Sequence, residues 1–164
     1  MKNLLLKRGK EESLLRFHPW VFSGAIQTAD EGLDDGDLVR VLNFEGRFVA
    51  VGHYQKGSIA VRVLSFRDVL INDEFWFARL SSALNMRLAI GLADNPDKNT
   101  YRLVHGEGDN LPGLVIDIYG HTAVMQAHSL GMHRSRVSIA EQLMKVMQGR
   151  IENIYYKSET TLPF

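Results

Sequence analysis

The chain has 164 residues, 19 basic and 19 acidic side chains, 45% hydrophobic and 23% charged residues, and no cysteine. Such a length buries roughly 70% of the surface an unfolded chain exposes, enough for one medium domain or two small ones. Zero net charge gives no whole-protein field for drawing in nucleic acid, and the lack of thiols excludes a disulfide framework or thiolate metal site and suits a reducing cytoplasm.

The charge is unevenly placed. Residues 1–29 hold Lys2, Lys7, Arg8, Lys10 and Arg16 against Glu11 and Glu12, whereas residues 30–37 hold Asp30, Glu31, Asp34, Asp35 and Asp37 with no base. The opening MKNLLLKRGKEE begins like a signal peptide, but its apolar run stops after three leucines. No stretch approaches the length of a membrane-spanning helix, and a cytoplasmic protein with no membrane partner is expected.

In chain order, Leu4 to Lys7 reads as a strand, Gly9 breaks it, and Lys10 to Arg16 is helix-capable. Pro19 forces His18 into extended backbone, and Val21 to Ala29 continues as a strand before the acidic loop. From Leu38, LVRVLNF, RFVAVGHYQ and SIAVRVLSF are separated by Glu45-Gly46 and Lys56-Gly57, which predicts an antiparallel meander curled into a small barrel or packed sheet. The pattern changes near residue 70. Asn72 and Asp73 can cap a helix whose first turn carries Glu74 and which runs to Gly91, with Phe75, Ala78, Leu80, Ala83, Leu84 and Leu88 as its apolar stripe and Arg79 and Arg87 on the surface.

Residues 102–120, RLVHGEGDNLPGLVIDIYG, organise the second half: a short strand, a loop dense in glycine, and the strand LVIDIY. The loop's glycines invite a phosphate cradle, but Leu114 and Val115 stand where a P-loop needs its Lys and Ser or Thr. Leu111 occupies the third glycine position of a dinucleotide fingerprint, and a strand follows instead of a helix. A tight strand-to-strand connection is the better reading, with Glu107 and Asp109 accepting backbone N–H bonds inside their own loop. Beyond it, AVMQA reads as a strand hairpinned on LVIDIY, His133 to Gln148 as a helix burying Val137, Ala140, Met144 and Met147, and Ile151 to Tyr156 as a last strand, after which KSETTLPF adds no element. The expected class is α+β: a β unit over 1–70, then a small α/β unit over 71–164 in the order β-α-β-β-α-β.

Arg102, Val104, Glu107, Asp109, Leu111-Pro112-Gly113-Leu114, Asp117 and Tyr119-Gly120 resemble the R-x-V-x-x-E-x-D-x-L-P-G-L-x-x-D-x-Y-G signature of the large-subunit rRNA cytosine-C5 methyltransferases. KRGKEESLLRFHPWVFSGAI resembles the opening of their PUA domain, with Arg8 standing between Lys7 and Gly9, and Tyr156-Lys157-Ser158-Glu159 looks like their Y-x-K-S-[DE] strand end. The resemblance implies a PUA domain, then a central domain. It also implies that the S-adenosylmethionine site and the cysteine nucleophile lie in a Rossmann-type domain that this chain lacks. The chain alone is therefore expected to bind no cofactor and to have no catalytic residue.

No residue pattern points to a free-standing active site. None of the six histidines forms a His-x-x-x-His pair on a predicted helix, no metal is expected, and no G-x-S-x-G elbow exists. RNA contact is better supported, because Lys7, Arg8, Lys10, Arg16 and His18 interleave with Phe17 and Trp20. The PUA resemblance adds Lys56 and Arg62 to that basic face. The implied function is the RNA-binding, substrate-positioning part of an S-adenosylmethionine-dependent rRNA methyltransferase. The alternative is a stand-alone RNA-binding module without catalytic activity, and a third reading makes the second unit a spacer or homodimerisation domain.

Overall fold

A computed structural model describes residues 1–162. The chain divides into two compact units, Met1–Val69 and Leu70–Phe164. Among the described residues no helix is long and apolar enough to cross a membrane.

The first unit is a curled six-stranded sheet with the order β2-β6-β5-β4-β1-β3. Its strands are β1 (Lys2–Leu6), β2 (Trp20–Phe22), β3 (Ile26–Ala29), β4 (Leu38–Leu42), β5 (Phe48–Tyr54) and β6 (Ile59–Ser65), and one short helix, α1 (Glu12–Leu15), follows β1. The meander β4-β5-β6 is antiparallel, as its glycine turns require. β1 pairs parallel with β4, a partner that strand alternation could not reveal. The expected single strand from Val21 to Ala29 is divided by a 3-10 turn at Ser23–Ala25, which carries the chain from β2, at one edge of the sheet, to β3 at the other. Leu4, Leu6, Val39, Val41, Val61 and Val63 alternate inward and pack with Leu14 of α1, forming the core.

The second unit contains α2 (Asp73–Ala89), β7 (Thr100–His105), β8 (Leu114–Tyr119), β9 (Thr122–Ala127), α3 (Leu130–Arg134), α4 (Arg136–Met147) and β10 (Asn153–Tyr156). The expected β-α-β-β-α-β order is corrected: α2 opens the unit, three antiparallel strands follow, and β10 returns parallel beside β9 after a helical crossover. No strand precedes α2, because β6 belongs to the first sheet.

The Asn72 side chain caps α2 by accepting from the Phe75 amide, as expected, and Gly91 sits at φ +70° just beyond the helix. The buried stripe on α2 is Trp76, Leu80, Ala83 and Leu84; Trp76 replaces Ala78, which is exposed. The expected helix from His133 to Gln148 is two helices. Ser129 caps the first, and the two meet at Ser135. The buried face of α4 is Ile139, Gln142, Leu143, Val146 and Met147; of the expected stripe only Met147 is fully buried, and Val137 and Met144 are exposed. Past β10 no further element forms through Leu162; the Ser158 hydroxyl instead accepts from the Ala127 amide at 2.9 Å, and the Thr161 hydroxyl donates to the Ala127 carbonyl. Pro163 and Phe164, the end of that segment, lie outside the described residues.

Candidate nucleic-acid interface

The turn after β1 places the first cations. The Lys7 amide donates to the Ala25 carbonyl at 2.9 Å, its ammonium donates to Gly24 O at 2.9 Å, and the Lys10 amide returns to Lys7 O at 3.0 Å. Gly9 at φ +75° makes that reversal without a β-carbon penalty. Arg8 is left exposed at the tip, its guanidinium carbon 5.2 Å from the centroid of Phe44.

β2 supplies the rings. Val21 faces the core, so Trp20 and Phe22, one residue to either side, share the opposite face. The His18 ring lies 5.8 Å from Trp20 and 5.9 Å from Phe22, and its Nδ1 is 3.2 Å from both the amide nitrogen and the carbonyl oxygen of Trp20. Lys10, Ser13, Trp20, Phe22 and Gly24 line a cleft of about 330 Å³. Phe22 is 49% exposed and was not singled out from the sequence; its spacing of two from Trp20 on a strand was the available signal.

Electrostatics separate these bases from their neighbours. Lys2 pairs with Asp37 at 3.2 Å, Arg40 with Asp68, and Arg47 with Glu45. Lys7, Arg8, Lys10, Arg16 and Lys56 form no ion pair among the described residues. Unpaired, exposed cations keep their full attraction for a polyanion.

Not every sequence candidate joins this group. The backbone amide of Lys56 donates to Asp35 at 2.6 Å, which seats that lysine beside the acidic loop. Arg62 is half-buried within β6, its backbone opposite Trp20 on one side and His53 on the other. His18 is half-buried among rings, a positioning place more than a phosphate-binding one. The structure thus groups Lys7, Arg8 and Lys10 around the turn after β1, with Arg16 exposed at the end of α1.

In the second unit charged residues of the 102–120 signature pair with one another and with α2. Arg87, expected on the open surface, instead forms a two-pronged ion pair with Asp109, whose second oxygen also accepts from the His105 amide at 2.6 Å. Their side chains are only 11% and 8% exposed. Arg102 forks onto Asp117 across β7 and β8 at 2.8 and 3.1 Å. With Asp109 committed to these donors, a metal reading of His105, Glu107 and Asp109 loses its central carboxylate. The glycines of this loop lead through a 3-10 turn into β8, so no helix N-terminus faces them. These residues do not fit the glycine-rich strand-to-helix cradle of a nucleoside cofactor.

Comparison with known proteins agrees with this architecture. Residues 4–66 match the PUA-like domain family, so the first unit is a PUA-like domain. The chain is 38% identical over 144 residues to a ribosomal RNA large subunit methyltransferase I of Erwinia tasmaniensis, a match covering 87% of this chain and 36% of that protein. It is also 38% identical over 142 residues to the protein of that name from Yersinia pseudotuberculosis, covering 85% and 35%. The chain is thus a relative of the large-subunit rRNA methyltransferases and spans about a third of the length of the curated relatives it matches. Among solved structures, a candidate SAM-dependent methyltransferase from Streptococcus mutans superposes with a TM-score of 0.82 at 19% identity, covering 96% of this chain and 41% of that one. At that identity the match speaks for the fold.

Proposed function

We propose that this chain is the RNA-binding and substrate-positioning part of an S-adenosylmethionine-dependent rRNA (cytosine-C5) methyltransferase acting in the cytoplasm. The observation that supports the proposal is its similarity, over 87% of its length, to a protein named as a ribosomal RNA large subunit methyltransferase. The PUA-like unit supports the RNA half of the reading, since it presents unpaired Lys7, Arg8, Lys10 and Arg16 beside outward-facing Trp20 and Phe22. The cations pair with phosphates and the rings offer faces to unstacked bases, the combination used on single-stranded RNA. Lys56 and Arg62 belong to the outer part of this footprint, and His18 orients the rings.

The methyl donor and its site belong elsewhere in the parent protein. Residues 1–164 incubated with S-adenosylmethionine and rRNA are therefore expected to transfer no methyl group. Turnover by the purified chain, read as radiolabel incorporated into RNA, would overturn this division of labour.

RNA affinity tests the electrostatic half. About five phosphate contacts at roughly 0.7 each give a slope of log affinity against log salt near −3.5, or about a hundredfold loss between 50 and 200 mM salt. Replacing Lys7, Arg8, Lys10 and Arg16 together by alanine is expected to leave a slope shallower than −1 and weak, nearly salt-independent binding. Wild-type binding with a flat salt response would refute the proposed footprint.

A further inference from the structure

α1 ends in an unusual way. The His18 amide donates to Ser13 O at 3.0 Å and the Phe17 amide to Leu14 O at 2.9 Å, the paired bonds of a Schellman helix stop. In that motif the residue at Phe17 must adopt left-handed backbone, and Phe17 does so at φ +62°. Glycine is the ordinary occupant of the position, because a β-carbon there crowds the following carbonyl. A bulky aromatic residue with positive φ is a genuine outlier.

Burial does not compensate for the strain. Phe17 is 72% exposed, second only to Leu70 among the large hydrophobic residues described. Its one ring contact among the described residues is edge-on to Phe66, with centroids 5.3 Å apart and planes at 84°. That contact fixes the ring's orientation while leaving it open to solvent. The preceding residue is Arg16, exposed and without an ion pair among the described residues, and the ring-lined turn His18 to Phe22 follows.

We infer that Phe17 is a base-stacking platform for a single-stranded RNA segment whose backbone is held by Arg16 and the bases of the β1–α1 turn. The inference rests on the RNA-binding reading above and adds to it a particular contact. Strain at an exposed site persists where the strained group is used, and a π-face flanked by unpaired cations is complementary to an unstacked nucleotide. A protein partner's apolar surface is the competing occupant; the adjacent positive charge favours the nucleotide.

The test compares wild type with Phe17→Gly and Phe17→Trp in the full chain, using a fluorescent ten-nucleotide single-stranded RNA at two salt concentrations. Phe17→Gly is expected to keep or raise the thermal midpoint, because the backbone strain is relieved, and to weaken binding about tenfold with the salt slope unchanged. Phe17→Trp is expected to restore or strengthen binding. If wild type binds and neither variant alters affinity, the stacking role is overturned while the RNA reading stands. If wild type does not bind at all, the RNA reading falls and the platform with it. A fall of many degrees in the thermal midpoint of Phe17→Gly would instead show that the ring is there for the fold.

Discussion

Replacing Asp109 by alanine is expected to destabilise the second unit by about 3 kcal/mol or more, the range seen when one partner of a buried ion pair is removed. The expectation follows from geometry. Asp109 receives two N–H groups of Arg87 and the His105 amide, and both side chains are nine-tenths shielded from water. Truncation leaves a buried guanidinium with no counter-charge and an orphaned amide at the start of the loop. The reporter is Trp76, buried on α2 and the only tryptophan of this unit. In a Trp20→Phe background its emission follows unfolding in urea. Arg87→Met is expected to cost a similar amount, since Asp109 would then be stranded. The double variant Arg87→Met, Asp109→Leu should recover a substantial part of the loss, because two apolar groups require no pairing. A midpoint for Asp109→Ala within error of wild type would show that the pair is effectively solvated.

The ion pair also marks where sequence reading stops. The start of α2 was legible because Asn72 and Glu74 are local signals whose partners lie within one turn. The meander was legible for a similar reason: Gly46 at φ +79° and Gly57 at φ +151° occupy backbone that other residues avoid. Arg87 offered no such cue. An arginine on a helix flank looks solvated, and its partner lies 22 residues on, across a loop whose path is set only by the fold. The same holds for β1, whose alternation shows which face is buried but not that it lies parallel to β4. On α4 the apolar residues Val137, Ile139, Ala140, Leu143, Met144, Val146 and Met147 lie on both sides of the helix, so periodicity alone did not decide which stripe, 137-140-144 or 139-143-146, faces the core. The candidate interface was legible as a run of bases, because charge is a property of the residue. Its outline was not: Lys56 lies against Asp35, and Phe22 joins Trp20 through strand alternation. Phe17 was noted as a stackable ring, yet nothing local said that it stands where a glycine would.

The second large effect is expected at Gly52. A β-carbon there would lie 2.2 Å from the Arg62 carbonyl oxygen, 2.8 Å from its carbon and 2.9 Å from Val61 Cγ1. Two of those three neighbours are backbone, which cannot rotate away. β5 and β6 come this close where the register slips between Val51 and Gly52, and Arg62 also pairs with Trp20 on the far side. Gly52→Ala must therefore spread β5 from β6, and overpacking against main chain costs about 3 kcal/mol, the upper end for an added methyl group. Trp20 reports the result, since its strand hangs on β6: in a Trp76→Phe background its emission should show a clearly lowered denaturation midpoint. At temperatures where the variant remains folded, its RNA affinity is expected to stay within a few-fold of wild type, because none of the exposed cations has moved. That pattern is the reverse of the one expected for Phe17→Gly, which spares stability and loses binding. An unchanged midpoint for Gly52→Ala would mean that the β5–β6 bulge yields without cost.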